Sequence, residues 1–197
     1  MRLVMLTVAA AAAVALGTAP QAAGTASLAL TSARVTIDGT SNIHAYTASS
    51  TAVRVAAVDV DTAAGTNALD RALEPNAVRA FEVVIPTTSL TSPKDGIDKN
   101  MHKALKASEH PDIRFRLRSL DAAAGTAVGQ LTIVGVEKDV TLNVQVKRQD
   151  AALAVTGTTT LMMTDYGITP PKAMLGMLKT NPKVTITFEL VLGPSST

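Results

Sequence analysis

The 197-residue chain contains no cysteine and no tryptophan, and only five aromatic residues, Tyr46, Phe81, Phe115, Tyr166 and Phe188. Without cysteine there are no disulfides, no thiolate nucleophile, no thiolate metal site and no lipid-modified cysteine anchor, so stability rests on a buried core alone. A strong excess of one charge is also missing. Arg2 is the only charged residue among the first 26, and without it the 18 basic residues fall to 17 against 16 acidic ones. That balance lacks the basic stripe that nucleic-acid binding leaves in a sequence. A membrane-length apolar run is absent too. The longest, Leu3 to Gly17, falls short of the roughly 20 residues a spanning helix needs.

That apolar run follows Met1-Arg2 and leads into small residues, the layout of a secretory signal peptide over residues 1–26, with cleavage expected among Ala23, Gly24 and Ala26. A retained N-terminal anchor is the alternative. Residues 27–197 then have the length of one domain, long enough to bury a core without staples.

Period-two alternation runs through most of this chain and predicts strands with one apolar face. In KVTITFELV (183–191), Val184, Ile186, Phe188 and Leu190 share a face. In DVTLNVQVK (139–147), Val140, Leu142, Val144 and Val146 do so, and in DIRFRLRSL (112–120) Ile113, Phe115 and Leu117 oppose Arg114, Arg116 and Arg118. Weaker alternation marks residues 33–38, 42–47, 52–60, 81–85, 128–135 and 153–162, with turns expected near Gly39, Gly65, Gly125 and Asp150. Eight or nine such strands give an all-β antiparallel barrel or sandwich. The polar faces must meet water, because arginines on a lipid-facing wall would cost roughly 2–4 kcal/mol each near the bilayer midplane.

Two segments break the pattern. GIDKNMHKALKAS (96–108) puts Ile97, Met101, Ala104 and Leu105 on one helical stripe with Lys99, Lys103 and Lys106 off it, and Pro111 ends it. TPPKAMLGMLKTNP (169–182) predicts a second short helix carrying Met174, Leu175, Met177 and Leu178. Each lies between strands, where it can cap a barrel end.

Several short patterns occur in order: Ser41-x-x-His44-x-Tyr46, Met101 to Ala107, His110-Pro111-x-Ile113-x-Phe115, Gly129-x-Leu131-Thr132-Ile133-x-Gly135-Val136-x-Lys138-x-Val140, and Asp165-Tyr166-Gly167-Ile168 before Pro170-Pro171. Across roughly residues 30 to 192 the chain resembles the YceI-like family. The resemblance implies a lipocalin-like antiparallel β-barrel of about eight strands with one or two short helices at its mouth, exported to the periplasm or secreted. It also implies a non-catalytic protein that encloses a long apolar ligand: a polyisoprenoid, an isoprenoid quinone or a fatty amide. No cofactor is implied beyond such a ligand. Two departures stand out, Tyr46 where a Trp is frequent and a thin set of cavity aromatics.

Face assignment and resemblance together nominate His44, Tyr46, Phe81, Met101, Leu105, Ile113, Phe115, Leu117, Leu142, Val144, Tyr166, Met174, Ile186 and Phe188 as ligand contacts. Periodicity alone does not separate a hollow interior from one filled by the same Val, Ile and Leu. His44 and Tyr46, two apart on a strand, either meet a ligand head group or pack the barrel end. Lys99, Lys103 and Lys106 either face an anionic head group or membrane surface, or are simply solvated. The methionines at 162, 163, 174 and 177 line an adaptable entrance or fill core.

The three histidines, His44, His102 and His110, lack the close spacing of a zinc site, and no nucleophile elbow is present. Asp59 and Asp61 share a face, where a strand-end turn explains them more simply than acid–base chemistry. A hydrolase site at the mouth and a filled interaction module are the rival readings. The expected partner is a long-chain lipid and no nucleic acid, with transient membrane contact and a homodimer left open.

Overall fold

The structure is a computed structural model and describes residues 24–62, 66–173 and 177–195. Ten strands occur: β1 (Gly24–Ser41), β2 (Ala45–Ser50), β3 (Arg54–Thr62), β4 (Val78–Pro86), β5 (Asp112–Asp121), β6 (Thr126–Ile133), β7 (Val136–Gln149), β8 (Ala152–Met162), β9 (Lys172–Ala173) and β10 (Leu178–Pro194). Every ladder is antiparallel. The order runs β1-β3-β4-β5-β6-β7-β8-β10, and β10 returns to pair with β1, so the sheet closes. β2 and β3 are two halves of one wall strand. Both pair along the same side of β1, Val35 opposite Ser50 and Ser27 opposite Asp59, with the break at residues 51–53. The result is the lipocalin-like eight-stranded barrel implied by the family resemblance, one of the two architectures the alternation allows, and of a size that can hold one small ligand.

The polar-out, apolar-in pattern decides which way each strand faces. On β5, Ile113, Phe115 and Leu117 enter the barrel while Arg114, Arg116 and Arg118 stay in water, paired with Asp112, Glu82 and Asp139. These exposed pairs organise the outer surface but contribute little stability. On β10, Val184, Ile186, Phe188, Leu190 and Leu192 face inward.

Wall glycines make room for the rare aromatic rings. A Cβ at Gly39 would sit 2.3 Å from the Tyr46 ring, one at Gly129 2.6 Å from Phe115, and one at Gly157 2.4 Å from Phe188. Gly39, expected beside a turn, therefore lies inside β1, directly opposite Tyr46.

The two barrel ends are closed differently. At the floor a four-residue helix, α1 (Ala68–Arg71), opens on Asn67, whose side chain accepts a hydrogen bond from the Leu69 amide. Leu69, Ala72 and Ala77 pack there against Leu28, Val60, Leu153 and Leu192. At the mouth, α2 (Asp95–Ala104) belongs to an excursion between β4 and β5 whose two feet are tied together. Pro86 pairs with Asp112, the Thr87 amide donates to the Pro111 carbonyl at 2.7 Å, and the Thr87 hydroxyl donates to the His110 carbonyl at 2.9 Å. The His-Pro step thus marks where the chain leaves the roof and re-enters the wall. α2 keeps the expected stripe but ends at Ala104, with turns carrying the chain to His110.

The second predicted helix is absent among the described residues of 169–182. Lys172–Ala173 and Leu178–Lys179 instead pair as β9 and the start of β10. Two prolines and a Met/Leu repeat mimic a helix opening, but pairing at the end of β10 overrides that local preference. Met174, Leu175 and Gly65 lie outside the described residues, as does the expected leader up to residue 23. Residues 42–44 form a turn before β2, so His44 stands on the turn and Tyr46 on the strand. Among the described residues no helix is long and apolar enough to cross a membrane.

Candidate ligand-binding cavity

Two chambers lie inside this frame. The larger, about 270 Å³, sits at the mouth under α2. Wall strands contribute Ile37, Ile113, Ile133, Leu161, Val184 and Ile186, and α2 contributes Ile97, Met101 and Ala104, with Leu105 capping its end. Its polar rim is Ser41, His44, Tyr46, Asn100, Lys172 and Thr180. The smaller, about 150 Å³, is deeper in the barrel and is lined by Val, Leu, Ile, Ala and Phe, with Thr159 the only hydroxyl-bearing side chain in its lining. Ile186 lines both. Phe81, Phe115, Leu117 and Phe188 face the inner chamber yet are only half-buried, because part of their surface borders void instead of other side chains.

The nominated residues divide cleanly between the chambers. His44, Tyr46, Met101, Leu105, Ile113, Tyr166 and Ile186 line the mouth chamber. Phe81, Phe115, Leu117, Leu142, Val144, Phe188 and again Ile186 line the inner one. Met174 lies outside the described residues. Sequence reasoning missed Ile37, Ile133 and Leu161, which sit at inward positions of alternating strands and were open to the same face assignment.

The roof is held by specific bonds. His102 Nε2 donates to the Leu90 carbonyl at 2.8 Å, and Asp98 accepts from the Ser92 amide at 2.7 Å. Leu90, 1% exposed, anchors the mouth cluster with Ile113, Ile133, Tyr166 and Ile168. The histidines are separately engaged. His44 Nδ1 is 3.3 Å from the Ser41 hydroxyl, and the His110 ring packs against Gly135. Among the described residues no three metal-ligating side chains converge. Asp59 accepts from the Ser27 hydroxyl, and Asp61 is paired with Arg79, which holds its carboxyl below the usual range.

The wall opens between β7 and β8. β7 and β8 pair only from Asn143–Thr158 to Gln149–Ala152, so towards the mouth the strands part. The 3₁₀ turn Met163–Tyr166 fills the space, leaving an outer cleft of about 320 Å³ between Lys138–Thr141 and Thr159–Met162. Tyr166 separates this cleft from the mouth chamber and lines both. It is 3% exposed, and its hydroxyl has no hydrogen-bond partner among the described residues. Burial, with Asp165 beside it, pushes the phenol up to about 12, so it remains a neutral donor. Burial also raises Tyr46. No sequence signal marks the gap, because it is a failure of pairing between two well-alternating strands.

A closed antiparallel barrel with an apolar two-chambered interior, a tethered helical roof and a thin polar rim defines a hollow lipocalin-like barrel protein. The YceI-like domain profile matches residues 17–192, and the chain belongs to that family. Among solved structures it is similar to Burkholderia cenocepacia BcnA, with 17% identity, 81% of this chain and 95% of that one covered, and a TM-score of 0.63. A polyisoprenoid binding domain from Saccharophagus degradans, implicated in plant cell wall breakdown, gives 16% identity, 86% and 98% coverage and a TM-score of 0.56. A Campylobacter jejuni YceI protein gives 14%, 62% and 76%, and 0.50. At these identities the likeness carries the fold. No curated protein matches the chain.

Proposed function

We propose that the protein is a non-catalytic carrier or store for one long-chain apolar molecule, a polyisoprenoid, an isoprenoid quinone or a fatty amide, with its tail in the inner chamber and its polar end at the mouth. The observation that carries this reading is the pair of apolar chambers in line along the barrel axis, 270 and 150 Å³. Together they fall within the roughly 300–1,000 Å³ of small-molecule sites. Each tail CH₂ moved from water into such a wall gains on the order of 0.8 kcal/mol, from which association and ordering of the chain subtract. His44, Tyr46, Met101 and Leu105 contact the polar end in this reading, and Phe81, Phe115, Leu117, Leu142, Val144 and Phe188 the tail. The leader-like segment over residues 1–26 supports export to the periplasm or beyond. Organic extraction of the purified protein followed by mass spectrometry tests the proposal. Repeated absence of lipid, together with no uptake of supplied prenyl chains or fatty amides, refutes it.

A further inference from the structure

The large exposed apolar side chains of the described residues are Ile43, Met162 and Met177, and the first and last are brought together beside the mouth. Ile43 tips the β1–β2 turn at 59% exposure and Met177 precedes β10 at 65%. Asn42 locks the two tips together, its amide nitrogen donating to the Met177 carbonyl at 2.8 Å and its side-chain oxygen accepting from the Lys179 amide at 2.8 Å. Met162 pairs across the ladder with Lys183. Singly exposed apolar residues are ordinary, but a cluster fixed by hydrogen bonds marks a contact surface.

The charged side chains nearest the Ile43 and Met177 tips are lysines, while Asp38, opposite Thr185 on β10, and Asp165, beside Met162 at the outer cleft, stand further along the rim. Lys172, Lys179 and Lys183 are exposed, and neither residues 39–58 nor residues 166–188 contain an acidic side chain. Lys172 and Lys179 lie directly opposite each other in the β9–β10 ladder. Like charges so placed repel, which is unfavourable in the isolated protein. None of these lysines is ion-paired, whereas every ion pair among the described residues uses an arginine. The α2 lysines differ, having Asp95, Asp98 and Glu109 among them.

We propose that this rim is a docking surface for an anionic phospholipid bilayer. Ile43 and Met177 enter the headgroup–acyl boundary, Met162 lies at its edge, and Lys172, Lys179 and Lys183 meet lipid phosphates. Docked this way, the mouth chamber opens towards the membrane, since Ser41, His44, Lys172 and Thr180 border both rim and chamber. A bilayer fits this rim because apolar tips flanked by Lys172 and Lys179 match an interface that is negative outside and apolar below. The inference stands on the rim alone, independently of what the chamber holds.

The test is flotation with phosphatidylcholine–phosphatidylglycerol vesicles at low salt, against pure phosphatidylcholine vesicles. Wild-type protein is expected to float with the anionic vesicles only and to be released by added salt. Lys179→Gln/Lys183→Gln is expected to weaken partitioning about fivefold per lysine, and Ile43→Ser/Met177→Ser to weaken it at least as much. Lys147→Gln, on β7 away from the mouth, is expected to leave partitioning unchanged. Thermal melts of each variant establish that it is folded. Failure of wild type to bind anionic vesicles, or binding by the rim variants equal to that of wild type, overturns the proposal. So does rim-dependent self-association or capture of another protein without vesicle binding. Lipid extracted from the same preparations reports separately on the cargo, since none of the four substituted rim residues lines a chamber.

Discussion

Replacing Tyr166 with Phe should stabilise the cargo-free protein, contrary to the usual outcome of substituting a buried residue. Tyr166 is 3% exposed and its hydroxyl bonds to none of the described residues, so folding strips water from it without return. A buried unsatisfied hydroxyl costs about 1–3 kcal/mol, and the Phe ring keeps the packing with Ile113, Ile133 and Ile168 while removing that cost. For a chain of this size each kcal/mol moves the melting temperature by about 2–4 °C, so a rise of about 2–12 °C is expected. Calorimetry on delipidated protein reads it directly. Alkaline pH supplies a second readout. The phenol is pushed from its ordinary 10.0 up to about 12 in the folded state, so the unfolded chain ionises first. Wild type therefore loses stability as pH rises from about 10 towards 12, while the Phe variant is spared this contribution and the gap between them widens. Tyr46 titrates in both proteins and cancels. An unchanged or lower melting temperature for Tyr166→Phe in the absence of lipid would refute the reasoning, because it would mean that the hydroxyl has a partner.

Gly157→Ala places a methyl 2.4 Å from the Phe188 ring and 2.7 Å from the Asn143 carbonyl, so urea melts should show a loss of about 1–3 kcal/mol. Adding Phe188→Leu should recover only part of it, since the carbonyl contact stays. Val155→Phe fills the 150 Å³ inner chamber; the delipidated variant should melt no lower than wild type while co-purifying severalfold less lipid. His102→Ala cuts the bond to the Leu90 carbonyl. At about 0.5–1.5 kcal/mol, that should speed amide exchange across residues 95–104 by about 2- to 10-fold and leave the wall strands unchanged.

Strand faces were legible because alternation is a local signal with a physical cause. DIRFRLRSL states in nine letters which side chains enter the barrel, and the structure places Ile113, Phe115 and Leu117 there. Inward position could be read, but void could not. The same Val and Leu serve a filled core or a hollow one, and the outcome depends on how far opposing walls stand apart. TPPKAMLGMLKTNP misled because its prolines and periodic Met and Leu satisfy helix rules locally, whereas the Leu178–Ala173 pairing that decides the matter is set by β10 reaching past the wall. Gly39 was read as punctuation although its role is to accommodate a ring seven residues away. The β7–β8 gap, the solitary Tyr166 hydroxyl and the facing lysines belong to the assembled object and leave no trace in periodicity.

The seam of the barrel has a temporal meaning. Leu28 stands opposite Pro194 and Val35 opposite Phe188, so the first stave of the wall is zipped to the last. Contacts between such distant parts of a chain form late, and folds that depend on them are slow. A chain emerging from its N-terminus therefore carries an unsealed cylinder until its final stretch appears. During that interval the greasy lining is open to water along its whole length, the condition under which a folding chain is most prone to aggregate.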